Sequence, residues 1–319
     1  MTVSRVISGH PYVRPSTARK VNAAIRKLSY RPSQAARILG GMPSNTIGLI
    51  VPDLKDHFFA TIANEVQETA HRRNYTAWVV SSNSDIALEQ HQVNQMLGHH
   101  FAGIILIPTE SKHPYLKSIT QGPTPFLSLD QPITVARVDS IETDNREASE
   151  HIVKHLITHG RKRIVCLGYN EHLQSMQNRI LGYENIMKQS KLRSRCVFGM
   201  VNPVAASNII EELLHAEDRP DAFFTINNVT TTLLMEALRK HRISIPSDIA
   251  LVGFDDPEHA NLMYCPPTVM RQPIAEFGRM AVQCLIDRIL DPSKDRPIKQ
   301  ITLPAEMVIR SSCGCVLPE

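Results

Sequence analysis

The sequence predicts an α/β protein made of two doubly wound parallel-sheet subdomains, preceded by a short, partial all-α segment. Three observations lead there. From Thr46 onward, short apolar runs alternate with helical patterns, which implies right-handed crossovers and open sheets covered on both faces. About ten strand-like runs occur, too many for one comfortable sheet, so they divide between two. The first 45 residues carry eight basic and no acidic residues and read as short helices without strands.

The elements follow in order. Thr2–Ser8 reads as the end of a helix stopped by Ser8-Gly9-His10-Pro11. Pro15-Ser16-Thr17 opens a second helix running to about Ser29, with Val21, Ala24, Ile25 and Leu28 on one face. Ser33 caps a short helix from Gln34 to Leu39, and Gly40-Gly41-Met42-Pro43-Ser44 is a linker. Ile47–Val51 reads as a buried parallel strand, Phe58–Arg73 as a helix, Ala77–Val80 as a strand and Ile86–Leu97 as a helix. Gly103–Ile107 and Pro125–Leu129 are further strands. The alternation restarts after Asp144 with helices Glu147–Thr158, Arg179–Gln189 and Thr230–His241, and strands Arg163–Leu167, Ala222–Ile226 and Ile249–Phe254. A late helix, Ile274–Leu290, precedes two terminal strands, Gln300–Leu303 and Met307–Ile309. The expected division is 1–45 for the headpiece and linker, 46–143 plus 274–301 for one subdomain, and 144–273 plus 302–319 for the other.

Charge is unevenly spread. Residues 1–45 hold Arg5, Arg14, Arg19, Lys20, Arg26, Lys27, Arg31 and Arg37, a charge of +8, so with +4 for the whole chain the remainder is −4. Such one-sidedness points to a polyanion, most simply nucleic acid. With 42% hydrophobic and 21% charged residues the chain is of ordinary globular composition. No run of 18 apolar residues occurs and the N-terminus has no secretory pattern, so a cytoplasmic protein with no membrane partner is expected. Walker, GxGxxG and GxSxG motifs are absent and no nucleophile with its base stands out, so an enzyme is not expected. The fourteen histidines are read as lacking a ligand spacing; Cys313-Gly314-Cys315 could bind a metal or sense redox, but is read as a frayed, inert tail. No metal or cofactor is expected.

Several words in the sequence carry a more specific message. Thr2-Val3-Ser4-Arg5-Val6, Ser16-Thr17, Tyr30-Arg31-Pro32-Ser33 and Ala35-Ala36-Arg37 are followed by Ile47-Gly48-Leu49-Ile50-Val51-Pro52-Asp53, Phe58-Phe59 and Val252-Gly253-Phe254-Asp255-Asp256. Together they resemble the lactose/galactose-repressor (LacI/GalR) family in order and spacing along nearly the whole chain. The resemblance implies a homodimer that binds double-stranded operator DNA through a helix-turn-helix and a hinge helix. It also implies a core like the periplasmic sugar-binding proteins, closing on a small-molecule effector. Thr2–Val6 match the interior of the family's recognition helix, so the headpiece as written is expected to lack its first helix and to be poorly folded when free.

On that resemblance Thr2, Ser4 and Arg5 face DNA, Arg5 toward guanine edges and the other two toward phosphates. Leu39 corresponds to the leucine wedged into the minor groove, with Arg37 as a nearby phosphate contact and Tyr30 on the same DNA-facing segment. Phe58, Phe59 and Arg179 correspond to effector contacts; the arginine's planar fork suits a diol or carboxylate. Asp130, Asn227 and Asp255 follow strands, where open sheets place ligands. For Asp130 and Asp255 a helix N-cap is the competing role. The family usually has Asp where this chain has Asn228. The expected function is a transcription repressor under allosteric control by a sugar or related metabolite. The alternative is a ligand-binding core that has lost specific DNA binding.

Overall fold

The structure is a computed structural model describing residues 3, 6, 12–30, 44–110, 112–169, 171–291, 293 and 297–315. It divides into two compact units, Met1–Ser44 and Asn45–Glu319. In the first, helix α1 spans Pro15–Lys27, with proline at its start and Arg26 and Lys27 in its last turn, where the helix dipole favours cations. Val21 and Ile25 are half-buried, but Ala24 and Leu28 of the predicted apolar face are exposed. Tyr30 is exposed as well. Thr2, Ser4, Arg5, Arg37 and Leu39, with the predicted helix 34–39, lie outside the described residues.

The second unit contains two six-stranded sheets, one in each of two lobes. The first is ordered β11-β5-β4-β3-β1-β2 and is wholly parallel. Its strands are β1 (Thr46–Val51), β2 (Thr76–Ser81), β3 (Gly103–Leu106), β4 (Phe126–Leu129), β5 (Asp139–Thr143) and β11 (Gln300–Leu303). Helices α2 (His57–Arg72), α3 (Ile86–Gly98), α4 (Leu116–Ile119) and α9 (Ile274–Leu290) belong to the same lobe. The second sheet is ordered β12-β10-β9-β8-β6-β7, parallel except for its edge strand β12. It comprises β6 (Ile164–Leu167), β7 (Cys196–Val197), β8 (Ala222–Thr225), β9 (Ala250–Phe254), β10 (Thr268–Arg271) and β12 (Glu306–Val308). With it go helices α5 (Asn145–Thr158), α6 (Gln174–Gln189), α7 (Pro203–His215) and α8 (Asn228–Lys240).

The predicted fold class therefore holds, with local corrections. The sequence reading misses β5, because its only aliphatic residue is Ile141. The strand is nonetheless buried, because Asp139 takes hydrogen bonds of 2.8 and 2.6 Å from Arg288 on α9. It also misses β7, α7 and β10, although Asn202 caps α7 by accepting from the Ala205 amide at 2.9 Å, immediately before a proline. Helix α6 begins at Gln174, five residues before the predicted start at Arg179. The predicted boundary at 301/302 falls inside β11, which continues to Leu303 in the first sheet.

The chain passes between lobes three times, after β5, β10 and β11. These crossovers are tied together: Thr143 Oγ1 donates to Gln272 Oε1 at 2.5 Å, and the Ala305 amide donates to Asp144 Oδ1 at 2.9 Å. Close helix packing holds each lobe. A side chain at Gly182 would run into the Arg146 carbonyl oxygen, and one at Gly278 into Glu65. Phe223, Phe224, Phe254 and Phe277 are fully buried, each contributing ~1.5–3 kcal/mol relative to exposure.

Candidate functional site

The loops after β1, β2 and β3 of one lobe and after β6, β7 and β8 of the other line a cleft of about 980 Å³. These are carboxyl ends of parallel strands, where open α/β sheets gather ligands. Phe59 and Asn227 line this cleft. Phe58 and Asp255 line a second cavity of about 700 Å³ between the same lobes. The two phenylalanines meet edge to face, with ring centroids 5.2 Å apart. Asp56 caps α2 through the Phe58 amide and so fixes where both rings project.

Asp130 and Arg179 are buried, Arg179 to 1% exposure. The arginine rises from α6 and is gripped on several sides. Its Nε donates to Asn145 Oδ1 at 2.7 Å, and its Nη1 donates to the Ile226 carbonyl at 2.7 Å and to Asp255 Oδ2 at 3.3 Å. Its guanidinium lies over the Phe254 ring, 3.7 Å from the centroid. No acceptor among the described residues engages Nη2.

Asp130 and Asp255 occupy equivalent places in the two lobes. Each follows the strand third from the same edge of its sheet, β4 or β9. Each has left-handed backbone, with φ of 63° and 65°. Each amide donates to the neighbouring strand, Asp130 to the Ile141 carbonyl at 2.9 Å and Asp255 to the Met270 carbonyl at 2.8 Å. Neither carboxylate caps a helix, so the competing N-cap role fails for both. Aspartate tolerates this backbone better than most residues, which suits the side-chain type to the turn.

The two carboxylates differ in their partners. Asp255 is held by Arg179 and by Gln272 Nε2, which donates at 2.6 Å. Burial pushes its carboxyl above the usual carboxylate range, against the pull of Arg179. Asp130 Oδ2 accepts from Gln131 Nε2 at 3.1 Å, but Oδ1 is buried without a partner among the described residues. Burial lifts the Asp130 carboxyl to about 6; Arg179 opposes this and Asp255 adds to it. Tyr169, which lines the larger cleft, feels these charges: burial raises its phenol, Arg179 lowers it, and Asp56, Asp130 and Asp255 raise it further.

Asn227 uses its side-chain oxygen to cap α8, accepting from the Thr230 amide at 2.9 Å. Sequence reasoning singled out Asn228 but missed the side-chain pairings that join the lobes. Asn228 Nδ2 donates to Asp56 Oδ1 at 2.8 Å across the cleft. An aspartate at 228 would set two carboxylates against each other there. Gln131 donates to Ser175 Oγ and accepts from the Ser175 amide at 3.0 Å. The cleft loop around Thr109 is pinned by buried Glu89, which accepts from the Thr109 amide at 2.7 Å and from Tyr115 Oη at 2.5 Å. Polar residues at strand ends were the available signal, but their pairing across the lobes is not a local property.

Two lobes joined by three crossovers around a polar cleft define a periplasmic binding protein-like core, and the model of that domain matches residues 153–313. The model of bacterial regulatory proteins of the lacI family matches residues 1–33. The chain belongs to the lacI family of bacterial regulatory proteins. It is 27% identical over 315 residues to catabolite control protein A of Priestia megaterium, covering 98% of this chain and 94% of that protein. It is 28% identical over 305 residues to the ribose operon repressor of Escherichia coli K12, covering 94% and 92% respectively. Its fold is shared with the lac repressor dimer bound to operator and the anti-inducer ONPF, at a TM-score of 0.85 and 22% identity, over 98% of this chain and 94% of that one. By their names these relatives are a catabolite control protein, an operon repressor and the lac repressor. No helix among the described residues is long and apolar enough to cross a membrane.

Proposed function

We propose that this protein is a dimeric repressor of operator DNA, controlled by a small polyhydroxylated metabolite, a sugar or a close relative, bound between the lobes of residues 45–319. One observation carries the ligand reading: Asp130 Oδ1 is buried without a partner among the described residues, beside Arg179, whose Nη2 none of their acceptors engages. A buried polar group without a partner is costly. In this reading a ligand hydroxyl donates to the Asp130 carboxylate and accepts from the neighbouring Arg179 guanidinium. Phe58, Phe59, Asn227 and Asp255 complete the proposed contact set, with an aromatic face beside the hydroxyls.

A ligand bridging the lobes favours closure by the difference in its affinity for the closed and open forms. Closure alters how two copies present their headpieces, and so whether both operator half-sites are gripped at once. The headpiece side of the proposal rests on Thr2, Ser4, Arg5, Tyr30, Arg37 and Leu39 and on the +8 charge of residues 1–45.

The test has two arms. The 319-residue chain is titrated against DNA from upstream of its own gene and against a scrambled fragment, at low and near-physiological salt. Preference for the upstream fragment, with affinity falling steeply as salt rises, is expected. Separately, sugars and sugar derivatives are screened by thermal shift and hits are measured by calorimetry. Ligand binding without any preference for upstream DNA supports the core-only alternative. A dimer that binds DNA specifically but no polyol in the screen overturns the assignment of the ligand class.

A further inference from the structure

A cluster of soft ligands stands in the second lobe among residues that the regulator reading leaves unused. Helix α5 carries His155 and His159 in its last turn and at its C-cap, four residues apart and so on one face of the helix. Their rings are tilted against each other with centroids 4.5 Å apart. Beyond β12 the chain makes a 3-10 turn at Ser311–Cys313, and Gly314, with φ of 89°, takes the left-handed conformation that redirects it. Cys315 thereby reaches α5, its Sγ 3.2 Å from Nε2 of both histidines. One ligand atom from each of His155, Cys313 and Cys315 lies within 4.8 Å of the other two.

The tail is thus not frayed at these residues: Cys313 is buried and Cys315 half-buried. The histidine spacing was also misread, since His155 and His159 have the one-turn separation that lets two imidazoles share an ion. The environment prepares one ring for that role. His159 Nδ1 lies 2.8 Å from the His155 carbonyl oxygen. A carbonyl only accepts, so the ring proton is on Nδ1 and the Nε2 lone pair faces the sulfur. This carbonyl–histidine arrangement is the outer-shell support common in metal sites.

Two thiols and two imidazoles select a soft or borderline ion and disfavour magnesium and calcium, which require oxygen ligands. In tetrahedral zinc sites, bonds of ~2.3 Å to sulfur and ~2.0–2.1 Å to nitrogen place neighbouring S and N ligands ~3.5 Å apart. The 3.2 Å separations of Cys315 Sγ from the two Nε2 atoms need only a few tenths of an ångström of expansion, whereas His159, outside the 4.8 Å cluster of the other three, must swing inward to complete a tetrahedron. His159 is exposed at the rim, which leaves the cluster open to an entering ion.

We propose that His155, Cys313 and Cys315, with His159 completing the set, form a site for one zinc ion that fastens residues 313–315 to α5. Binding releases the thiol protons to solvent and forms two zinc–sulfur bonds, with no change of oxidation state.

The test uses the full chain, reduced and stripped with a chelator, then titrated with cobalt(II) as a spectroscopic probe and competed with zinc(II). The expected result is one equivalent bound per chain, with tetrahedral ligand-field bands and a thiolate-to-cobalt charge-transfer band that zinc abolishes. C313S and C315S should each reduce that band, and the double variant should remove it. H155A should weaken binding more than ~100-fold, beyond the usual outer-shell effect, and H159A by at least ~10-fold. C196S, whose cysteine lies on β7, should bind as the parent does. Circular dichroism checks the fold of each variant; H159A changes an exposed side chain and keeps the test informative if a cysteine variant fails to fold. Absence of the charge-transfer band in the parent, or its survival in the double cysteine variant, overturns the proposal. So does binding of copper(I) alone, with no zinc or cobalt bound.

Discussion

Asp130→Asn separates the two demands placed on this buried carboxylate. The parent carboxylate is buried with one oxygen unpartnered, and its carboxyl is lifted from 3.8 to about 6. An acid raised in the folded state binds its proton more tightly folded than unfolded. Its contribution is therefore most favourable below pH 3.8, is lost as pH rises toward about 6, and is a constant penalty above that. At ~1.4 kcal/mol per pH unit, the gap amounts to an upper bound of ~3 kcal/mol at pH 7. Asparagine keeps the shape, tolerates the left-handed backbone and can still accept from Gln131. The ligand-free variant should gain ~1–3 kcal/mol at neutral pH, a rise in Tm of about 5 °C for a unit of this size. The difference between parent and variant should shrink below pH 4. Ligand affinity should move the other way, weakening ~10–100-fold, because a charged acceptor is worth ~1.5–3 kcal/mol to a hydroxyl. Thermal melts from pH 4 to 8 and calorimetry with a hit from the sugar screen read both effects. A variant less stable than the parent at pH 7, or an unchanged pH profile, would refute this reasoning.

Two further substitutions probe the same region. A sequence-level view of Arg179 as a ligand-facing side chain implies that Arg179→Ala silences the ligand response while sparing the core. Its burial against Asn145, Ile226, Asp255 and Phe254 says otherwise. Removing it strands the Asp255 carboxylate and should cost ~3–5 kcal/mol in a denaturant titration, with the ligand response lost as well. Asn228→Asp replaces the interlobe hydrogen bond to Asp56 with a like-charge contact. Small-angle scattering should show the ligand-free core more open at pH 7 than the parent, and an unchanged radius of gyration would dismiss Asn228 as a latch.

Much of the architecture was legible from local pattern. The apolar runs of β1, β3, β8 and β9 are hydrophobic because both faces of a parallel sheet are covered. The same logic hides β5: its burial depends on Arg288, 149 residues away, neutralising Asp139, so its composition resembles a loop. Asp255 and Arg179 stood out at a strand end and in a motif, yet their mutual contact was not readable from either position.

What the sequence by itself determined is the alternation of strands and helices, the division into two sheets, the basic N-terminal block and the family. These depend on periodicity, on charge and on words of a few residues. Tertiary structure alone decided that Asp130 and Asp255 are counterparts, that Asn228 meets Asp56, and that Cys315 closes on two histidines 156 and 160 positions earlier. Each of those depends on chain segments remote in sequence being brought within hydrogen-bond or ligand distance. That follows from the packing of whole lobes, which periodicity does not encode.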